Sequence, residues 1–296
     1  MSKRKYKVNE HLKKVFPNQT KINHHFVPQV YIKRFYDEKI QKVWRGSLEH
    51  KNVRYITSAQ TFYVPKLYDL KFFRQEFFDI EDYYGKHENQ ISEIYTLLSE
   101  IKSFKTLEAD RQLLASLFFT IKIAILTQYF RTKDIVPEMF TEMCSNLVSV
   151  YKSKEEYFKK EFPFIKIGEL EMVEKTIKRG IKKKKKYVND SIKGLQHSIL
   201  PILFSDFTSN KIRIIRSETK KYISSDKPVS CQNLQDLLKF ENFIYPLTPN
   251  ILIYALGENV TEDMIKDENK VNDFIFKNAI SHIISHDKTK IEHYLK

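Results

Sequence analysis

The chain has 296 residues, 42% hydrophobic and 14% aromatic, with only six glycines and nine prolines; it can bury a sizeable core as one large domain or two intimate ones, and it is not linker-rich or disordered. Lys and Arg outnumber Asp and Glu by 51 to 37, a formal net charge of +14, which attracts polyanions such as nucleic acid or anionic lipid, although AT-rich coding also favours lysine. Two distant cysteines, Cys144 and Cys231, read as reduced thiols of a cytoplasmic protein and exclude a disulfide framework or zinc knuckle.

Residues 1–22 read as a basic arm containing Lys3, Arg4, Lys5, Tyr6 and Lys7, without the apolar run of a signal peptide. The remainder, 23–296, reads as a single α+β domain. In His24-His25-Phe26-Val27-Pro28, proline biases Val27 to an extended backbone and opens a short helix with Val27, Tyr31 and Phe35 facing a core. Gln41 to Ser47 and Asn52 to Ser58, around Glu49-His50-Lys51, predict a hairpin. Phe72 to about Leu98 has helical apolar spacing, and Thr106 or Leu107 starts a second helix, apolar almost all round from Leu113 to Phe130. That stretch reaches the minimum spanning length, but Lys122 at its centre favours a buried helix over a membrane span. Asp134 to Tyr151 and Lys166 to Leu200 predict further helices, the latter broken only at Lys184. Strands follow at Lys211 to Arg216, Tyr222 to Ser224, Phe243 to Leu247 and Ile251 to Leu256, before a helical region from Thr261 to Leu295. The economical architecture is a helical bundle, about 72–204, inserted between N- and C-terminal segments that together form a small antiparallel sheet.

Several short motifs recur in a recognisable order: the opening His24-His25 to Phe35 segment, Phe62-Tyr63, Ile80-Glu81, Glu88-Asn89-Gln90-Ile91-Ser92 and Gln128-Tyr129-Phe130-Arg131-Thr132. Then come Tyr222-Ile223-Ser224-Ser225-Asp226-Lys227-Pro228-Val229, Tyr245-Pro246-Leu247-Thr248-Pro249, and Val271-Asn272 leading to Ala279. In this order the chain resembles a bacterial family catalogued as domain of unknown function 4238, over nearly its whole length. The resemblance supplies no activity. One departure is Lys133, where the family usually has proline after Arg-Thr; the loop after Arg131 is therefore expected to be built differently.

The candidate chemistry lies in these motifs. His24 and His25 suit a general base or metal ligand if a turn lets them converge; on a strand they face opposite ways, one as a satisfied buried donor. Glu81 and Glu88, seven residues apart, share a helix face, and Glu88 could bind a divalent ion or orient an imidazole, or be plain helix surface. Arg131 can clamp a phosphate or merely neutralise the end of its helix. Asp226 sits in a Ser-Ser-Asp-Lys-Pro turn, as a local acceptor or as a metal ligand. Lys178, Arg179, Lys182, Lys183, Lys185 and Lys186 form a cationic ridge suited to phosphate backbone, or an ordinary solvated face.

Two patterns carry less. His282, His286 and His293 would form a solvent-facing stripe on a continuous helix, and Arg45 with His50 matches a ribonuclease-like spacing that chance supplies easily. No Walker A, dinucleotide turn or nucleophile elbow is present. The leading expectation is a metal-dependent nuclease or phosphodiesterase of bacterial defence or toxicity: His24 or His25 as base or ligand, Glu88 and Asp226 on Mg²⁺ or Mn²⁺, and Arg131 on the phosphoryl oxygens. The alternatives are a non-catalytic nucleic-acid- or protein-binding module and, more weakly, a membrane-associated toxin.

Overall fold

The hairpin expected around Glu49-His50-Lys51 forms, and its strands are completed by one from the far end of the chain. In the computed structural model, which describes residues 23–68, 80–100, 111–205 and 211–296, β1 (Asn23–His25) precedes the short helix α1 (Gln29–Ile32) that Pro28 introduces. Next come β2 (Val43–Ser47), β3 (Val53–Ile56) and β4 (Tyr63–Pro65), then the long helices α2 (Ile80–Glu100) and α3 (Arg111–Phe130). Five helices follow: α4 (Thr141–Cys144), α5 (Leu147–Lys152), α6 (Glu155–Glu161), α7 (Ile167–Lys182) and α8 (Tyr187–Ser198). The C-terminal part holds α9 (Leu200–Leu203), β5 (Arg213–Arg216), β6 (Ser224–Ser225), β7 (Ser230–Cys231), α10 (Leu234–Leu238), β8 (Phe243–Thr248), β9 (Ile251–Ala255), α11 (Glu262–Lys266), α12 (Glu268–Asn278), β10 (His282–Ser285) and α13 (Lys288–Leu295). The class is α+β, with central helices flanked by N- and C-terminal antiparallel sheets. The expected arm at 1–22, the start of the first long helix at Phe72 and the start of the second at Thr106 lie outside the described residues.

The chain divides into two compact units. The larger comprises His25–Val64, Lys86–Val136 and Ile199–Lys296. It contains two four-stranded antiparallel sheets, in the orders β3-β2-β10-β6 and β5-β9-β8-β7. Its apolar core gathers Tyr222 and Ile223, Val271 and Ile275 of α12, Ile283 of β10, and Ile291 and Leu295 of α13. Gly46 on β2 is the contact point for α13: a Cβ there would lie 2.5 Å from Ile291 and 2.9 Å from Leu295. Buried polar groups join the sheets. The Tyr31 hydroxyl donates to the Pro246 carbonyl on β8 at 2.6 Å, which leaves Ser224 on β6 to donate to Tyr31 at 2.7 Å. Asn272 closes another joint, accepting from the Ile223 N–H at 3.0 Å and donating to the Lys221 carbonyl at 2.9 Å.

The smaller unit contains His24, 65–85 and 137–198. Its α7 and α8 are one predicted helix folded back on itself. Lys184 adopts φ 48°, and the Lys185 N–H bonds to the Gly180 carbonyl while the Lys184 N–H bonds to that of Ile181, the pattern of a Schellman cap. Gly180 permits the reversal, since a Cβ there would lie 2.5 Å from Val188.

Three expectations need correction. The helix predicted from Asp134 to Tyr151 is a 3₁₀ turn opened by Pro137 and two short helices, α4 and α5. The C-terminal helical region contains a strand: Ile283 and Ile284 are both fully buried, one on each face of β10, and a strand covered on both sides reads as a continuous apolar run. His282 therefore lies on β10, His286 follows it and His293 lies on α13, so they form no helical stripe.

Candidate functional site

The C-terminal turn of α3 is the hub of the larger unit. An arginine suits a helix end, where unpaired carbonyls carry partial negative charge, but Arg131 is also only 2% exposed and reaches further. One terminal nitrogen donates to Glu88 on α2 at 2.9 Å and the other to the backbone carbonyl of His25. Gln128, one turn earlier, donates to the Phe26 carbonyl at 3.2 Å. Thr132 closes the turn by donating to the Gln128 carbonyl at 3.1 Å. Tyr129 meets the Cys231 thiol, and the Lys227 ammonium lies 5.4 Å from its ring centre. Burial pushes the Cys231 thiol up to about 11, so it is an inert thiol, not a nucleophile.

The tandem histidines part company. They lie on β1, where successive side chains point to opposite faces. His24 is fully buried in the smaller unit; its Nδ1 accepts the Tyr68 N–H at 3.0 Å and its ring stacks on Tyr68 at 5.4 Å. A ring nitrogen accepting a backbone N–H carries no proton, so His24 is held as a neutral acceptor. His25 belongs to the larger unit, 9% exposed, with its ring 5.7 Å from that of Tyr63. Burial, then the Arg131 charge, lowers its pKa, against a smaller opposing pull from Glu88. The imidazole is thus neutral at pH 7 and able to accept a proton.

Asp226 occupies a different network of the same unit. Its Oδ1 accepts the Ile280 N–H at 2.9 Å, and its Oδ2 accepts the Ser281 N–H at 2.9 Å and hydroxyl at 2.6 Å. Lys133 Nζ stands 3.8 Å and His282 Nδ1 3.9 Å from Oδ2. Burial alone would raise this carboxyl, but His282, Ser281, the Ile280 N–H and Lys133 outweigh it and hold the pKa below the ordinary value. The structure therefore brings His25, Glu88 and Arg131 together and places Asp226 elsewhere, among partners that do not include them. The side chain of Glu81 lies outside the described residues. Sequence reasoning missed Ser281 and put His282 on a solvent-facing helical stripe, because a short strand end carries no periodic signal. It did mark Lys133 as anomalous, and Lys133 bonds Ser281 at 3.0 Å.

In the smaller unit, Lys178, Arg179, Lys182, Lys183, Lys185 and Lys186 are all exposed around the α7–α8 turn. Lys178 pairs with Glu174; the other five have no carboxylate partner among the described residues. The turn at Lys184 collects them at the tip of a helical hairpin.

Several residues of the motifs noted along the sequence (His25, Phe26, Glu88, Gln128, Arg131 and Asp226) supply these networks. The family model described as "Protein of unknown function (DUF4238)" matches residues 23–289. The chain belongs to this family. No curated protein and no solved structure matches it.

For this DUF4238 protein the donor set bears directly on metal binding. Among the described residues, no three His, Cys, Asp or Glu side chains are grouped to hold an ion. Asp226 already accepts three hydrogen bonds, with at least one donor on each oxygen. Glu88 gives one oxygen to Arg131 and keeps a 20% exposed side chain, so it is the carboxylate with capacity to spare. Among the described residues no helix is long and apolar enough to cross a membrane; Lys122 on α3 is buried, its ammonium 5.2 Å from the Phe240 ring centre.

Proposed function

We propose that this protein binds nucleic acid through phosphate contacts made by the ridge of Lys178, Arg179, Lys182, Lys183, Lys185 and Lys186. The observation that carries the reading is the exposure of five cations without carboxylate partners at one hairpin tip. A cluster with internal acidic partners would be neutral at range, whereas an uncompensated one releases condensed counterions from a polyanion. Such contacts give affinity without reading sequence. The test is fluorescence anisotropy of a labelled duplex and a labelled single strand with the wild type and the Lys182→Gln, Lys183→Gln, Lys185→Gln, Lys186→Gln variant. Binding by the wild type that the variant loses supports the reading; equal binding, or none by either, refutes it.

A second reading, phosphodiester cleavage, is favoured by the neutral imidazole of His25 beside Arg131 and Glu88. In it His25 takes the proton of the attacking hydroxyl and Arg131 acts by holding the His25 backbone in place. Mg²⁺ or Mn²⁺ would be held from Glu88 together with substrate phosphate, since one carboxylate with water and phosphate suffices for Mg²⁺; a bound ion would supply charge neutralisation at the phosphoryl oxygens. Asp226, with donors on both oxygens, braces the fold in this reading. Metal-stimulated cleavage that His25→Ala abolishes, with the protein still folded, would support it over simple binding.

A further inference from the structure

The β2–β3 hairpin places two guanidinium groups side by side. Arg45 pairs in register with Arg54, and residues directly opposite on an antiparallel pair project from the same face. Like charges in that relation destabilise the pairing. Proteins normally relieve such a clash with a carboxylate, yet neither arginine has one among the described residues. Arg45 is half-buried, and its only hydrogen-bond partner there is the Thr61 hydroxyl, at 3.3 Å. Burial and then the Arg54 charge depress its pKa, with Tyr63 pulling the other way. Two cations are therefore held together with no carboxylate between them among the described residues.

The face they share is defined by the sheet register. Ile284 pairs with Arg45 and His282 with Ser47, so Arg45 and His282 project from one side. Phe62 meets the His282 ring edge-on at 6.3 Å, and Tyr63, next in sequence, stands 5.7 Å from His25. The arginine pair is thus beside the segment that carries Thr61 and Tyr63, on the side of the sheet where His25 lies.

We infer that Arg45 and Arg54, with the hydroxyls of Thr61 and Tyr63, form a phosphate-binding subsite next to His25. Two guanidinium forks offer several N–H donors to a tetrahedral dianion, and the hydroxyls supply neutral donors at its margin. A bound phosphate would turn the repulsion between the arginines into attraction through a shared anion. As a biological assignment the subsite rests on the phosphodiester reading above, because it gives that reading a group to recognise; its test does not, because inorganic phosphate is the probe.

Thermal unfolding of the full chain is followed while inorganic phosphate replaces chloride at constant ionic strength. The melting temperature of the wild type is expected to rise saturably. Arg54→Gln, at an exposed position where it removes one of two facing like charges, is expected to melt no lower than the wild type in chloride and to bind phosphate about tenfold or more weakly, the usual effect of losing one charge-assisted partner. Arg45→Gln should do the same to phosphate affinity. A rise of equal size in both variants, no rise in the wild type, or an equal rise with acetate would overturn the assignment. Competition by a short oligonucleotide would mark phosphodiester as the ligand, and its absence a free phosphate or monoester. The ridge variant must keep the phosphate response, so loss of nucleic-acid binding there with the response intact separates the two claims.

Discussion

Arg131 donates to Glu88 at 2.9 Å with one nitrogen and holds the His25 backbone carbonyl with the other. The end of α3 is thereby tied to α2 and to the opening motif by one nearly inaccessible guanidinium. Removing one partner of a buried ion pair leaves the other uncompensated, which costs more than the pair itself contributes. Arg131→Gln should lower stability by about 3–5 kcal/mol, since it also gives up the bond to the His25 carbonyl. Glu88→Gln should be destabilising too, because it leaves the nearly inaccessible guanidinium without its carboxylate. Urea denaturation checks both; a cost below about 1 kcal/mol for Arg131→Gln, the level of a surface pair, would refute the clamp.

Asp226 collects three hydrogen bonds from Ile280 and Ser281, with the Lys133 ammonium and the His282 ring also close by. In Asp226→Asn one acceptor becomes an amide donor facing donors, at a cost of the order of 3 kcal/mol. The depressed carboxyl gives a sign: its stabilisation is complete above about pH 4, the ordinary Asp value, and is lost as pH falls through the lower folded pKa. The gap between wild type and Asp226→Asn, measured by thermal melts, should therefore shrink below pH 4. A constant gap down to pH 2 would show that the charge is not what matters.

Much of this architecture was legible. The hairpin at 43–56, the long apolar α3 and the break at Lys184 follow from alternation, all-round apolarity and a charge run that interrupts a helical period. β10 was not legible, because Ile283 and Ile284 are buried on opposite faces and erase the alternation that marks a strand. Among site residues, the sequence gathers His25, Glu88 and Arg131 only through motif order, with no periodicity linking them. The separation of His24 from His25 depends on whether residues 23–25 form a strand or a turn, which proline at 28 leaves open. Asp226's partners come from residues 133 and 280–282, too remote in sequence for spacing to reveal.

Tyr31 links β6 to β8 by two bonds from one hydroxyl. Tyr31→Phe would strand the Pro246 carbonyl and the Ser224 hydroxyl in a dry interior, a loss of about 1–3 kcal/mol. Tyr31→Phe together with Ser224→Ala should cost less than the sum of the single changes, since the pair shares one interaction. Strict additivity in denaturation experiments would contradict the linkage.

His25 is kept neutral by burial and Arg131. Its unfolded form protonates near pH 6.5 while the folded form resists, so the unfolded state binds more protons and stability falls as pH drops through that value. The fall ends once pH passes the lower folded pKa. His25→Gln should flatten this part of the stability profile. NMR titration of the His25 ring giving a pKa at or above 6.5 would overturn the assignment.

The most direct test of nucleic-acid binding is the salt dependence of affinity for a duplex. Each phosphate contact contributes about 0.9 to the slope of log K against log salt. Neutralising Lys182, Lys183, Lys185 and Lys186 should reduce the slope by about 3–4 and weaken binding evenly across sequences. An unchanged slope in the variant, or wild-type affinity that does not respond to salt, would contradict the account.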